Sequence, residues 1–159
     1  MVNYTGLIKK SQLNAPVNVI GLANEMGIKV WTSKSLADDI SGKLFKDANL
    51  AGDSGYAIIV NGKHVEGRQR FTIAHEIAHF ILHRNEVGEG IVEDAFYRSS
   101  LSSAQEVEAN KLAAEILMPY ALIRNVQLSK AISPSDVPAL AKEFNVSEVA
   151  MKIRLGINF

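Results

Sequence analysis

An α+β fold follows from three features of the sequence. Three short apolar segments in the first half read as strands, enough for a small sheet. A helix apolar on nearly every side runs from about 68 to 83, and such a helix belongs in the middle of a domain. A second long helix, from about 104 to 118, carries a row of small residues that would let it approach the first closely.

Asn14, Ala15 and Pro16 open a helical stretch, with Asn14 as its cap and Pro16 in the first turn, where a missing N–H costs nothing. Val17, Ile20, Leu22 and Ala23 form its apolar stripe, and Gly27 should end it. Residues 28–31 and 42–46 read as strands, and 56–60 as a buried third that closes at the turn Asn61-Gly62. The sheet is expected to be antiparallel.

Residues 84–103 hold two Gly, several acidic groups and a run of Ser, and are expected to form an irregular excursion, long enough to suggest a functional role. The helix at 104–118 is ended by Pro119. Shorter helices follow near 120–127, 135–144 and 147–155, making 120–159 a helical C-terminal extension. With 159 residues and no internal repeats, 1–159 is read as a single unit.

Composition narrows the function. Lys plus Arg and Asp plus Glu each number 17, so no global positive field exists to hold nucleic acid or an anionic membrane. No apolar run approaches a membrane span. Cysteine is absent, which removes disulfides, thiolate metal sites and a cysteine nucleophile together. The first ten residues lack an apolar signal core, so a cytoplasmic location is expected.

The middle helix contains His75-Glu76-Ile77-Ala78-His79, an HExxH match. Residues i and i+4 stand one above the other on a helix, so both imidazoles can reach one ion at about 2.0–2.1 Å. Glu76 projects about 100° round from His75, beside such an ion rather than on it. The competing reading is a buried helix with two satisfied histidines. It leaves three polar groups to be partnered inside an apolar helix, at a cost of a few kcal/mol if they are not.

A third ligand must come from elsewhere. His83 continues the i+4 series but lies about 12 Å along the axis from His75, too far to share an ion. A longer zinc signature fails because its Gly and final His positions hold Leu82 and Asn85. A carboxylate on the 104–118 helix remains. Glu106 heads the row 106, 109, 110, 113, 117, which includes Ala109 and Ala113, whereas Glu108 aligns with Lys111, Leu112 and Glu115. Glu106 is therefore preferred over Glu108. Asn110, one turn after Glu106, could accept a hydrogen bond from a ligand imidazole and fix its tautomer.

The run RQRFTIAHEIAHFILH at 68–83, followed by EVEANKLAAEILMP at 106–119, resembles the ImmA/IrrE metallopeptidases. The similarity extends upstream to 56–61 and downstream to 140–155; Leu112, where the family usually has Phe, is a packing departure. The resemblance implies a zincin-like arrangement, a small antiparallel sheet packed on the HExxH helix with a C-terminal helical cap. It implies His75 and His79 as metal ligands, Glu76 as base, and a Glu in the 106–108 stretch as third ligand. It also implies a bacterial or phage cytoplasmic protein that cleaves, or otherwise inactivates, a helix-turn-helix repressor.

The expected function is thus zinc-dependent endopeptidase action, with zinc favoured over Mn or Fe by ligand type. The partner is expected to be a helix-turn-helix repressor, with no membrane and no direct nucleic-acid contact. Glu86, Glu89, Glu93 and Asp94 would present an acidic face to a basic regulator. The rival reading is a non-catalytic regulatory or toxin–antitoxin partner with a structural or relic metal site. Two other signals rank lower. The segment Gly52-Asp53-Ser54-Gly55 resembles a serine-protease nucleophile loop but lacks the next Gly, and reads as a turn, as does His64. Residues 136–155 have a helix-turn-helix look, but residues 130–159 carry Lys130, Lys142, Lys152 and Arg154 against Asp136, Glu143 and Glu148, a feeble phosphate grip.

Overall fold

The computed structural model describes residues 2–88, 90–94, 101–127 and 131–157, apart from the side chains of 91, 93, 94 and 127. Two short helices open the chain, α1 at Tyr4–Ser11 and α2 at Val19–Glu25. Each starts on an asparagine whose side chain accepts a backbone N–H: Asn3 from Gly6, and Asn18 from Gly21. The expected cap at Asn14 is therefore corrected. Pro16 lies before α2 rather than in its first turn, and Asn18 has the free N–H groups of the helix within reach. Val17, Val19, Leu22 and Ala23 are buried there, while Ile20 points outward.

Four strands follow the order β1-β3-β2-β4: β1 at Lys29–Ser33, β2 at Ile40–Lys46, β3 at Tyr56–Asn61 and β4 at Gly90–Asp94. The sheet is mixed, not antiparallel as expected. β2 pairs antiparallel with both β3 and β4, but β1 pairs parallel with β3, Val30 opposite Ile58. β3, buried at almost every position, takes an interior place, because a strand apolar on both faces loses most if left at an edge. Gly52-Asp53-Ser54-Gly55 is the turn leading into it. The Ser54 hydroxyl donates to the Gly27 carbonyl at 2.7 Å, and Gly55 takes φ +85°, a conformation that suits glycine. Asn61 closes the strand by donating to the carbonyls of Ala37 and Ile40.

The third helix, α3, spans Glu66–Val87, longer than expected, and buries a continuous run from Thr72 to Phe80. It lies directly on the sheet at Gly42, where a Cβ would come within 2.7 Å of the Thr72 methyl and 2.8 Å of the Ile59 carbonyl oxygen. The expected irregular excursion at 84–103 is also corrected in part. Its start completes α3, and Gly90–Asp94 forms the edge strand β4. Gly90 makes that pairing possible, since a side chain there would meet Leu44 and Phe45 of β2 at about 3 Å.

The fourth helix, α4, spans Ser103–Leu117 and is capped reciprocally. Ser102 accepts the Gln105 N–H, and the Gln105 side chain accepts the Ser102 N–H. Its buried face, Ala109, Ala113, Ile116 and Leu117, packs on α3. The small residues let the two backbones approach. Then come α5 at Tyr120–Gln127, a 3₁₀ turn at Pro134–Asp136, α6 at Val137–Phe144 and α7 at Glu148–Leu155. Val137, Leu140, Ala141, Phe144 and Met151 join the core formed by the sheet and α3. The apolar face of α6 is thus spent on packing, while Val149 and Ile153 of α7 stay exposed. Among the described residues, no helix is long and apolar enough to cross a membrane.

Candidate metal centre

His75 and His79 lie on the buried middle of α3, and neither exposes any surface. Their i, i+4 spacing brings the two Nε2 atoms to 3.0 Å from each other. Glu106, in the first turn of α4, points between them, with Oε2 3.1 Å from His75 Nε2 and Oε1 3.0 Å from His79 Nε2. Its side chain is 12% exposed, against 57% for that of Glu108. The difference is set by the row of α4 that faces α3, because Glu106 stands one turn before Ala109 and Asn110.

Among the described residues, His75, His79 and Glu106 are the group whose donor atoms could hold a metal ion. The packing itself tests the fit. Two imidazole nitrogens facing each other at 3.0 Å, each also about 3 Å from a carboxylate oxygen, cannot all be satisfied by protons on both rings, since the two N–H groups would then oppose each other. A single cation accepts all three donors at once. Ligands bound at 2.0–2.1 Å around a tetrahedral ion are about 3.3 Å apart, close to the separations here. Two nitrogens and one oxygen form a donor set suited to first-row divalent ions.

Glu76 is fully buried on α3 but is not one of the converging donors.

The sequence pattern did not reveal a further contact. His83 is buried, and its Nδ1 lies 3.0 Å from Nδ1 of His79, on the side of that ring away from Glu106. Its Nε2 faces Glu108 Oε2 at 3.6 Å. His83 lies outside the donor group, as its distance from His75 along the helix requires; the signal in the sequence for its contact is the second i+4 step, which sets His83 beside His79 as His79 is set beside His75. Conversely, Asn110 does not take the tautomer-fixing part expected of it, since its buried Oδ1 accepts no hydrogen bond among the described residues. His64 is a turn residue, its Nε2 3.0 Å from the Asp38 carbonyl. Of the acidic face expected at 84–103, Glu86 is exposed on α3, while Glu89 and the side chains of Glu93 and Asp94 lie outside the described residues.

Comparison with known proteins places the chain in a family. The radiation response metalloprotease IrrE of Deinococcus radiodurans is 34% identical over 90 residues, 57% of this chain. The chain spans only 27% of that protein's length. A solved structure of a Mycobacterium tuberculosis transcriptional regulator superposes with a TM-score of 0.63 at 19% identity, covering 97% of this chain and 45% of that one, a likeness of fold. Residues 23–156 match the Peptidase_M78 family model, the IrrE N-terminal-like domain. That match takes in every strand, α3, the paired imidazoles and the Glu106 helix, and the chain accordingly belongs to the IrrE N-terminal-like family of metallopeptidases.

Proposed function

We propose that this chain is a zinc-dependent endopeptidase of zincin-like arrangement in which His75, His79 and Glu106 hold the ion and Glu76 is the general base. The observation that carries the reading is the convergence of three donor atoms from α3 and α4, with a buried carboxylate adjacent in sequence to the first of them. When bound, zinc supplies Lewis acidity, making a water more acidic and a scissile carbonyl more electrophilic. Glu76, as the general base, takes the proton from the attacking water as the oxygen bonds to the carbonyl carbon. It then delivers that proton to the amide nitrogen as the C–N bond breaks, leaving a carboxyl and an amine terminus. His75 and His79 stay neutral, each presenting an Nε2 lone pair.

The proposed substrate is a helix-turn-helix repressor, whose cleavage would derepress a phage, mobile-element or stress operon in the cytoplasm. Membership of the IrrE-like family and the resemblance of the 68–83 and 106–119 segments support this choice. Glu86, exposed on α3, is one acidic group that a basic partner would meet. Glu76→Gln separates enzyme from binder, because it keeps size and hydrogen bonding while removing the base. The variant should retain zinc and repressor binding, and cleavage of the repressor, followed by gel and mass spectrometry, should fall at least 10²-fold. Undiminished derepression by Glu76→Gln would instead establish action by stoichiometric binding.

A further inference from the structure

We propose that His83 is a positioning residue that fixes the tautomer and ring plane of His79; the inference rests on the metal centre formed by His75, His79 and Glu106. The geometry leaves one consistent arrangement of protons. If His79 Nε2 offers its lone pair toward the Glu106 side, where it lies 3.0 Å from both His75 Nε2 and Glu106 Oε1, then its proton must be on Nδ1. That Nδ1 lies 3.0 Å from Nδ1 of His83, so His79 donates and His83 must accept. With His83 Nδ1 as acceptor, the ring proton of His83 is on Nε2, which lies 3.6 Å from Glu108 Oε2, beyond hydrogen-bonding distance.

Each of these two ring protons therefore points away from the Glu106 side. Two features of the fold hold His83 to this task. It is 3% exposed, so water does not compete for its Nδ1. Its backbone also leaves helical values within α3, at φ −128° and ψ 18°, before the helix resumes toward Val87. A buried polar ring at a break in the helix that contacts a candidate ligand is poorly explained as packing, which Leu or Phe would serve better.

Loss of such an orienting partner typically lowers metal affinity by about 10–100-fold. Zinc affinity of the whole chain, measured by competition with a chromophoric chelator, should therefore fall by that factor in His83→Leu. His83→Asn, whose Oδ1 can stand in for Nδ1 as acceptor, should recover most of it. Glu108→Gln, altering an exposed group beyond hydrogen-bonding distance, should shift affinity less than about threefold.

A measurement on the unaltered protein needs no variant to fold. In long-range ¹H–¹⁵N spectra of the zinc-loaded chain, His79 should carry its proton on Nδ1 and His83 on Nε2. Protonation of His83 at Nδ1, equal zinc affinity in His83→Leu and the wild type, or equal loss in His83→Leu and His83→Asn would each overturn the inference while leaving the ligand set intact. Absence of zinc binding by the wild type would overturn the metal centre and this inference with it.

Discussion

Gly42→Ala tests how closely the fold and the candidate site are coupled. An added Cβ at this position of β2 would sit 2.7 Å from the Thr72 methyl and 2.8 Å from the Ile59 carbonyl oxygen. Carbon contacts settle near 3.5–4.0 Å, so about 1 Å must be found. The Ile59 carbonyl belongs to interior strand β3 and can give little, which leaves α3 to lift away from the sheet. Overpacking of this kind costs about 1–3 kcal/mol. Thr72 is only three residues before His75, so the displacement is carried to a ring that must lie 3.1 Å from Glu106 on another helix. Urea unfolding should show the loss of stability, and chelator competition a parallel fall in zinc affinity. Adding Thr72→Ser, which removes the offending methyl but keeps the hydroxyl that donates to the Arg68 carbonyl, should restore part of both. A Gly42→Ala protein with unchanged stability and unchanged zinc affinity would refute the claim that this contact sets the height of α3.

Three further outcomes are expected. Ser102→Ala removes the hydroxyl that accepts the Gln105 N–H, and should cost about 1 kcal/mol by denaturant titration and weaken zinc binding, since Glu106 sits in the turn this cap orders; loss of stability with no change in affinity would separate the cap from the site. Phe144→Ala, at a fully buried position of α6, should cost about 3–5 kcal/mol, which an exposed accessory helix would not. Lys63, hydrogen-bonded to Asp38, holds that carboxyl below its ordinary value of 3.8. A folded value below the unfolded one gives stability that is present above the ordinary range and lost as pH falls through the folded value. Asp38→Asn should thus be slightly destabilising at pH 7 in low salt, and neutral at pH 2 or in high salt; equal losses at both pH values would assign the effect to something other than the ion pair.

The parts of the molecule legible in the sequence are those in which a periodicity and a chemical type coincide. His75 and His79 share a face because four residues nearly complete a helical turn, and Glu106 could be told from Glu108 because Ala109 and Ala113 mark the row that lets α4 approach α3. What escaped was long-range or locally disguised. Nothing near Lys29–Ser33 says that it will pair parallel with β3, because strand order is settled by which strand buries best. β4 was hidden by two glycines and its acidic residues, although Gly90 is the residue that allows the close pairing with β2. α1 has only eight residues and none fully buried, so its pattern is faint. The contact of His83 with His79 lies one further i+4 step along the same face, a step that a search for ligands of one ion passes over because it is too distant from His75 to share it.

The zinc content of the purified chain and of two alanine variants tests the central claim most directly. After loading and removal of free metal, elemental analysis should find about one zinc per chain in the wild type and in Glu108→Ala, and close to none in Glu106→Ala. Retention of zinc by Glu106→Ala together with its loss from Glu108→Ala would contradict the account.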